Sequence, residues 1–150
     1  LGIYLPLKSK FLDKKLQETR SKFGLTLMSV REVGQYFEDH KDQACSYGFI
    51  FDQSPSNPAK GRWIKFLNQD TSAMTGVERY AIKYDCPVIY GHIIKLSRGQ
   101  YRITYELVTD SPQRTQEGEI TEAIYKKNEE IIRSAPEYWL WTHRRWKHKR

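Results

Sequence analysis

The chain has 150 residues, of which 39% are hydrophobic and 29% charged. That balance suits one globular domain with a sizeable core and excludes a disordered chain. No stretch approaches the roughly 20 apolar residues of a membrane span, and no secretory signal pattern is present. Lys and Arg number 25 against 18 Asp and Glu, for a net charge of +7. The excess sits at one end: "HRRWKHKR", residues 143–150, carries Arg144, Arg145, Lys147, Lys149 and Arg150 with no acid, which leaves residues 1–142 at +2. The opening "LGIYLPL" begins on Leu1 inside an apolar run and predicts that the chain is a piece of a longer protein.

Residues 9–23 predict a helix, with Leu12 and Leu16 on one face, Phe11 and Phe23 flanking it, and Gly24 as the C-terminal cap. Leu25 to Met28 predicts a short strand. Ser29 and Glu32 have capping-box spacing ahead of a helix running to about His40. Ala44 to Phe51 is apolar enough to predict a strand buried on both faces, as in a parallel sheet. "QSPSNPAKG" is a loop, and Trp63 to Leu67 an extended segment. Thr71 or Ser72 can cap a helix in which Met74, Val77, Ala81 and Tyr84 share a face.

"CPVIYGHIIKL" and "YRITYELV" predict two strands joined at Ser97-Arg98-Gly99. In the second, Tyr101, Ile103, Tyr105 and Leu107 are expected inward, and Arg102, Thr104 and Glu106 outward. A helix is expected from about Glu119 to Arg133, burying Ile120, Ala123, Ile124, Ile131 and Ile132, with Ala135-Pro136 as its stop. The order predicts an α/β fold: a mostly parallel sheet flanked by helices, with an antiparallel hairpin at one edge. Residues 1–142 form the domain and 143–150 a basic aromatic tail.

Three features bear on chemistry. Asp52 and Gln53 follow the apolar run Phe49-Ile50-Phe51, and ligands in open α/β sheets bind beyond strand ends. A turn-forming Asp bonded to its own loop is the plainer reading. Arg20 follows Leu12 and Leu16 at four-residue steps, where a guanidinium can reach a phosphate or simply stand solvated. In the tail, Trp139, Trp141 and Trp146 are interleaved with cations. That pattern suits an anionic membrane interface, through Trp139, Arg144, Arg145, Trp146 and Lys147, or single-stranded nucleic acid. Alternatively, Tyr138, Leu140 and Trp141 close the core. Cys45 and Cys86 are expected buried and reduced, and neither has a partner at metal spacing, so no metal or cofactor is expected. His92 is expected in the core or a pocket wall, and no histidine has a triad partner.

"YLPLKSKFLDKKLQETRSKFG", "FDQSPSN", "TGVERYAIKYDCPVI" and "PEYWLWTHRRWK" resemble successive blocks of the bacterial lipid A biosynthesis (late) acyltransferases, within the wider lysophospholipid acyltransferase group. The last block is the most specific. The resemblance implies an α/β acyltransferase fold and transfer of an acyl chain from acyl carrier protein or acyl-CoA to a hydroxyl of a lipid A precursor or related lysolipid. It implies that Arg20 meets acceptor phosphate and that Asp52, with Gln53, lines the same site. The family's catalytic pair is His-x4-Asp/Glu, yet no histidine of this chain has an acid five positions later. The pair is therefore expected upstream of Leu1, which leaves no catalytic residue in these 150 and an inactive fragment. The expected setting is the cytoplasmic face of the bacterial inner membrane, with the tail on its anionic surface. Nucleic acid is not an expected partner, because residues 1–142 offer no second basic stripe. The competing reading is a non-catalytic module that binds a membrane surface or nucleic acid.

Overall fold

The computed structural model describes residues 1–150 and divides them into two compact units, Leu1–Ile50 and Phe51–Arg150. The α/β class holds, with four helices and six strands along the chain. The sheet differs from the expected one. Three separate two-stranded sheets form, and two of them are antiparallel.

In the first unit, β1 (Gly2–Tyr4) pairs in parallel with β2 (Leu27–Ser29), Ile3 lying opposite Met28. Helix α1 (Lys10–Ser21) connects them. Ser9 caps it by accepting from the Leu12 N–H, and Asp13 in the first turn accepts from the Leu7 N–H at 2.8 Å. Gly24 follows with φ 86°, a left-handed conformation that glycine adopts without strain. Helix α1 nevertheless buries no residue, and Phe23 is 91% exposed. The core of this unit is Met28 with Val33 and Phe37 of α2 (Val33–Asp39), and Phe37 stacks on Tyr47 with centroids 3.8 Å apart.

Two expectations fail here. The capping box does not form, because Ser29 ends β2 and its Oγ accepts from the Arg31 N–H at 3.3 Å instead. The strand expected over Ala44 to Phe51 reduces to one parallel bridge between Gly48 and Gly2. A strand buried on both faces needs neighbours as long as itself, and β1 and β2 each run only three residues.

In the second unit, β3 (Arg62–Phe66) and β4 (Gln69–Ala73) form a hairpin. Its two-residue turn, Leu67-Asn68, has φ 49° and 64°, the mirror-image geometry that matches strand twist. Thr71 and Ser72, expected to cap a helix, are buried strand residues, and α3 begins only at Gly76, running Gly76–Tyr84. β5 (Val88–Ser97) and β6 (Gln100–Thr109) form the expected second hairpin, turning through Gly99 at φ 77°.

That hairpin faces the other way from the expectation. Tyr101, Ile103, Tyr105 and Leu107 are exposed, Tyr105 at 71%. They share a face with Ile89 and Ile93, which lie opposite Leu107 and Ile103. The inward face carries Val88, Tyr90 and Val108, with Glu106 paired to Lys127 and Thr104 bonded to His92. Strict alternation defines two faces but does not say which one is covered.

Helix α4 (Glu119–Ser134) organises this unit. Ile120 and Ile124 pack with Ala81, Val88 and Tyr90, while Tyr125 and Ile132 pack with Phe66 and Ala73. Phe51 touches both groups. Cys45 is exposed and Cys86 half-buried, so the two buried thiols are not found. Burial, helped by the neighbouring Asp85 charge, raises the Cys86 pKa.

Candidate functional site

The loop that begins at Phe51 is held by α4 and by the C-terminal segment. Tyr125 projects from the buried face of α4, and its hydroxyl donates to the Phe51 carbonyl at 2.8 Å. The same oxygen accepts from the Met74 N–H at 3.1 Å and from Arg145 Nη2 at 3.3 Å. Arg145 Nη2 also donates to the Ser72 carbonyl at 3.0 Å. The guanidinium stands over the Phe66 and Tyr125 rings, 5.9 and 5.6 Å from their centroids.

Arg145 is only 3% exposed. Its Nε and Nη1 lack hydrogen-bond partners, as do the buried Asp52 Oδ1 and Ser54 Oγ. Four orphan polar atoms thus lie on this loop and on Arg145, whereas buried polar groups are normally paired. Burial lowers the Arg145 pKa, opposed by Tyr125 and by the Asp52 charge. Burial raises Tyr125, opposed by Arg145. Tyr90 is pushed up to about 12 by burial, with Asp52 and Glu106 adding to it. The Asp52 carboxylate is therefore felt by all three groups. A buried cation needs such a counter-charge.

The rest of the C-terminal segment is folded onto the same region. His143 Nε2 accepts from the Ser54 N–H at 3.0 Å, and His148 Nε2 lies 3.0 Å from the Pro55 carbonyl. Trp146 donates to Thr71 Oγ1 at 2.8 Å, and the Trp139 ring packs 6.2 Å from Phe66. Of the five residues read as a membrane contact, Arg145 is buried and Trp139 and Trp146 pack on the core, while Arg144 and Lys147 are exposed. The core is closed by Trp139 and Trp146; Tyr138, Leu140 and Trp141, the alternative expectation, are exposed.

The other expected site residues are placed as follows. Asp52 is half-buried and Gln53 exposed, both in the second unit. Arg20 is exposed in the last turn of α1 in the first unit, where its charge favours the helix C-terminus. His92 is half-buried and bonded to Thr104.

A separate cleft of about 590 Å³ lies in the second unit between residues 59–62, 75–82 and 117–118. Lys60, Arg62 and Arg79 line it, and Asp52 and Arg145 do not. Its one buried acid, Glu78, is fully engaged: it accepts from the Gly118 N–H at 2.6 Å and the Thr121 N–H at 2.8 Å. It caps α4 from outside, where the helix's own N-cap, Gly118, offers no side chain. Arg62 occupies the space in which a Cβ on Gly118 would stand, and pairs with Glu122 at 2.9 Å.

The sequence reading put Arg145 on a membrane surface instead of in the core, and missed His143, Tyr125 and Glu78. Tyr125 carried a signal, since an aromatic with a polar tip on a buried helix face seeks a partner. Glu78 carried one too, as an acid between Val77 and Ala81 on the inward side of α3.

The family model described as bacterial lipid A biosynthesis acyltransferase matches residues 1–148. No curated protein matches the chain.

Proposed function

The chain belongs to the bacterial lipid A biosynthesis acyltransferase family, and we propose that the full-length protein moves a fatty acyl chain from acyl carrier protein or acyl-CoA to a hydroxyl of a lipid A precursor or related lysolipid. The acceptor oxygen attacks the thioester carbon and the carbon–sulfur bond breaks. A general base carries the hydroxyl proton to the departing thiolate. The observation that carries this reading is the family match along nearly the whole chain.

The base is the histidine of a His-x4-Asp/Glu pair on chain outside these 150 residues. Within them no histidine has an acid five positions on. Each histidine ring makes its hydrogen bond to a backbone group or a hydroxyl, not to a carboxylate. The 150 residues alone are accordingly inactive.

Asp52 and Gln53 line the acceptor site, where the Asp52 carboxylate accepts from a lipid hydroxyl. Arg20 takes acceptor phosphate through its forked donors. The exposed Arg144 and Lys147, with Lys149 and Arg150, rest on the anionic cytoplasmic surface of the inner membrane, each contributing about 1 kcal/mol. No helix is long and apolar enough to cross a membrane. The test is to incubate the full-length protein with a lipid A precursor and labelled acyl carrier protein or acyl-CoA thioester. A labelled acylated lipid is expected from one of the two donors; no product from either overturns the proposal.

A further inference from the structure

We propose that His143–His148 is a clasp that sets the position of the Asp52 carboxylate, with His143 and Arg145 as positioning residues for acyl transfer. The inference rests on the reading of Asp52 as part of the acceptor site.

Asp52 lies between two pinned points. On one side the Phe51 carbonyl is held by Tyr125, whose hydroxyl also accepts from Arg145. On the other side the Ser54 N–H is held by the His143 ring, and the Pro55 carbonyl by His148. The three contacts to the loop join residues 74 to 93 positions apart in the chain. The loop itself, "DQSPSN", is made of turn-forming residues that support many local geometries. Its conformation is therefore imposed from outside, by the C-terminal segment and α4.

The chemistry of each clasp residue fits that work. His143 accepts through Nε2, so its ring is neutral at that nitrogen and bears its proton on Nδ1. Arg145 spans the Ser72 carbonyl on β4 and the Tyr125 hydroxyl on α4 with one nitrogen, a bridge that no apolar side chain can make. Burying a guanidinium is unfavourable unless its charge is answered; here the Tyr125 hydroxyl and, more weakly, the Asp52 charge offset part of that burial. Trp139 and Trp146 seat the segment on the core and fix the register in which Arg145 enters. Within a run that resembles a membrane tail, Trp139, His143, Arg145, Trp146 and His148 thus form an internal brace, while the other cations stay exposed. Small displacements of a substrate-positioning group are expensive in rate, on the order of a hundredfold for 1 Å.

The test uses the full-length protein with His143→Leu, His143→Gln and Arg145→Lys, alongside Asp52→Asn as control. Amide hydrogen exchange at Ser54 is read together with steady-state kinetics against lipid acceptor and acyl donor. In His143→Leu, Ser54 exchange rises at least about tenfold and acceptor KM rises about tenfold, while donor KM and the urea midpoint stay put. His143→Gln, which keeps an acceptor, restores both. Arg145→Lys, which keeps charge but loses the bridge, raises acceptor KM without restoring it. Unchanged Ser54 exchange in His143→Leu overturns the clasp. Faster exchange with unchanged acceptor KM overturns the positioning role. Unchanged acceptor KM in Asp52→Asn instead overturns the reading of Asp52, whatever the exchange shows.

Discussion

Glu78 offers the sharpest test of how the second unit is built. Its carboxylate accepts from the Gly118 and Thr121 N–H groups at the start of α4, 40 and 43 residues away. Both N–H groups are among those that a helix leaves without internal partners, and both are buried at this point. Replacement by Ala strands two buried donors at about 1–3 kcal/mol each, or about 4 kcal/mol in all. Gln keeps one acceptor and loses the charge facing the helix dipole, so about 2 kcal/mol is expected. Against a domain stability of about 5–15 kcal/mol the first is a large fraction. For a chain of this size it lowers Tm by about 12 °C. Urea unfolding followed by far-UV circular dichroism measures the change, and amide exchange at Gly118 and Thr121 locates it. A Glu78→Ala variant with the parent's urea midpoint and slope would refute the reasoning, because no other side chain caps these groups.

Further outcomes follow from the same structure. Tyr90 is neutral and buried, and its pKa is pushed up from 10.0 to about 12 in the folded state. Its contribution to stability is therefore complete below pH 10 and lost as pH rises toward 12. Alkaline unfolding should be less steep in Tyr90→Phe, read by tyrosinate absorbance during a pH-jump series. Gly118→Ala places a methyl against Arg62 at φ 90° and should lower stability by about 1–3 kcal/mol, with the Arg62–Glu122 pair displaced in its NMR spectrum. Ile93→Lys, on the open face of the hairpin at 67% exposure, should change stability by less than about 0.5 kcal/mol.

Helix α4 was legible because Ile120, Ile124 and Ile132 repeat at helical spacing and Pro136 stops the chain. The β5–β6 hairpin was legible from alternation and Gly99, but alternation is symmetric between faces, and the covered face was read the wrong way round. The β3–β4 hairpin was hidden because its turn puts Leu67 at positive φ, where leucine gives no signal, and only Asn68 hints at it. The apolar run ending in Phe49-Ile50-Phe51 misled because apolar character alone does not supply a pairing partner, and only Gly48 makes a bridge. Asp52 was legible as the polar end of an apolar run. Arg145 was not, because a dense run of cations reads as a solvated face, and only tertiary packing decides which single cation turns inward. The histidines carried no triad signal, and two of them instead hold the Asp52 loop through its backbone.

The acyl-transfer account is tested most directly by one comparison. Full-length protein and its Asp52→Asn variant are given labelled acyl thioester and lipid A precursor, with matched folding checked by urea midpoint. Product formation at limiting acceptor should fall by about a hundredfold in the variant, the loss of one well-placed charged hydrogen bond. No labelled lipid from the parent would contradict the account, and an Asp52→Asn protein that acylates the lipid at the parent's rate would contradict the role given to Asp52.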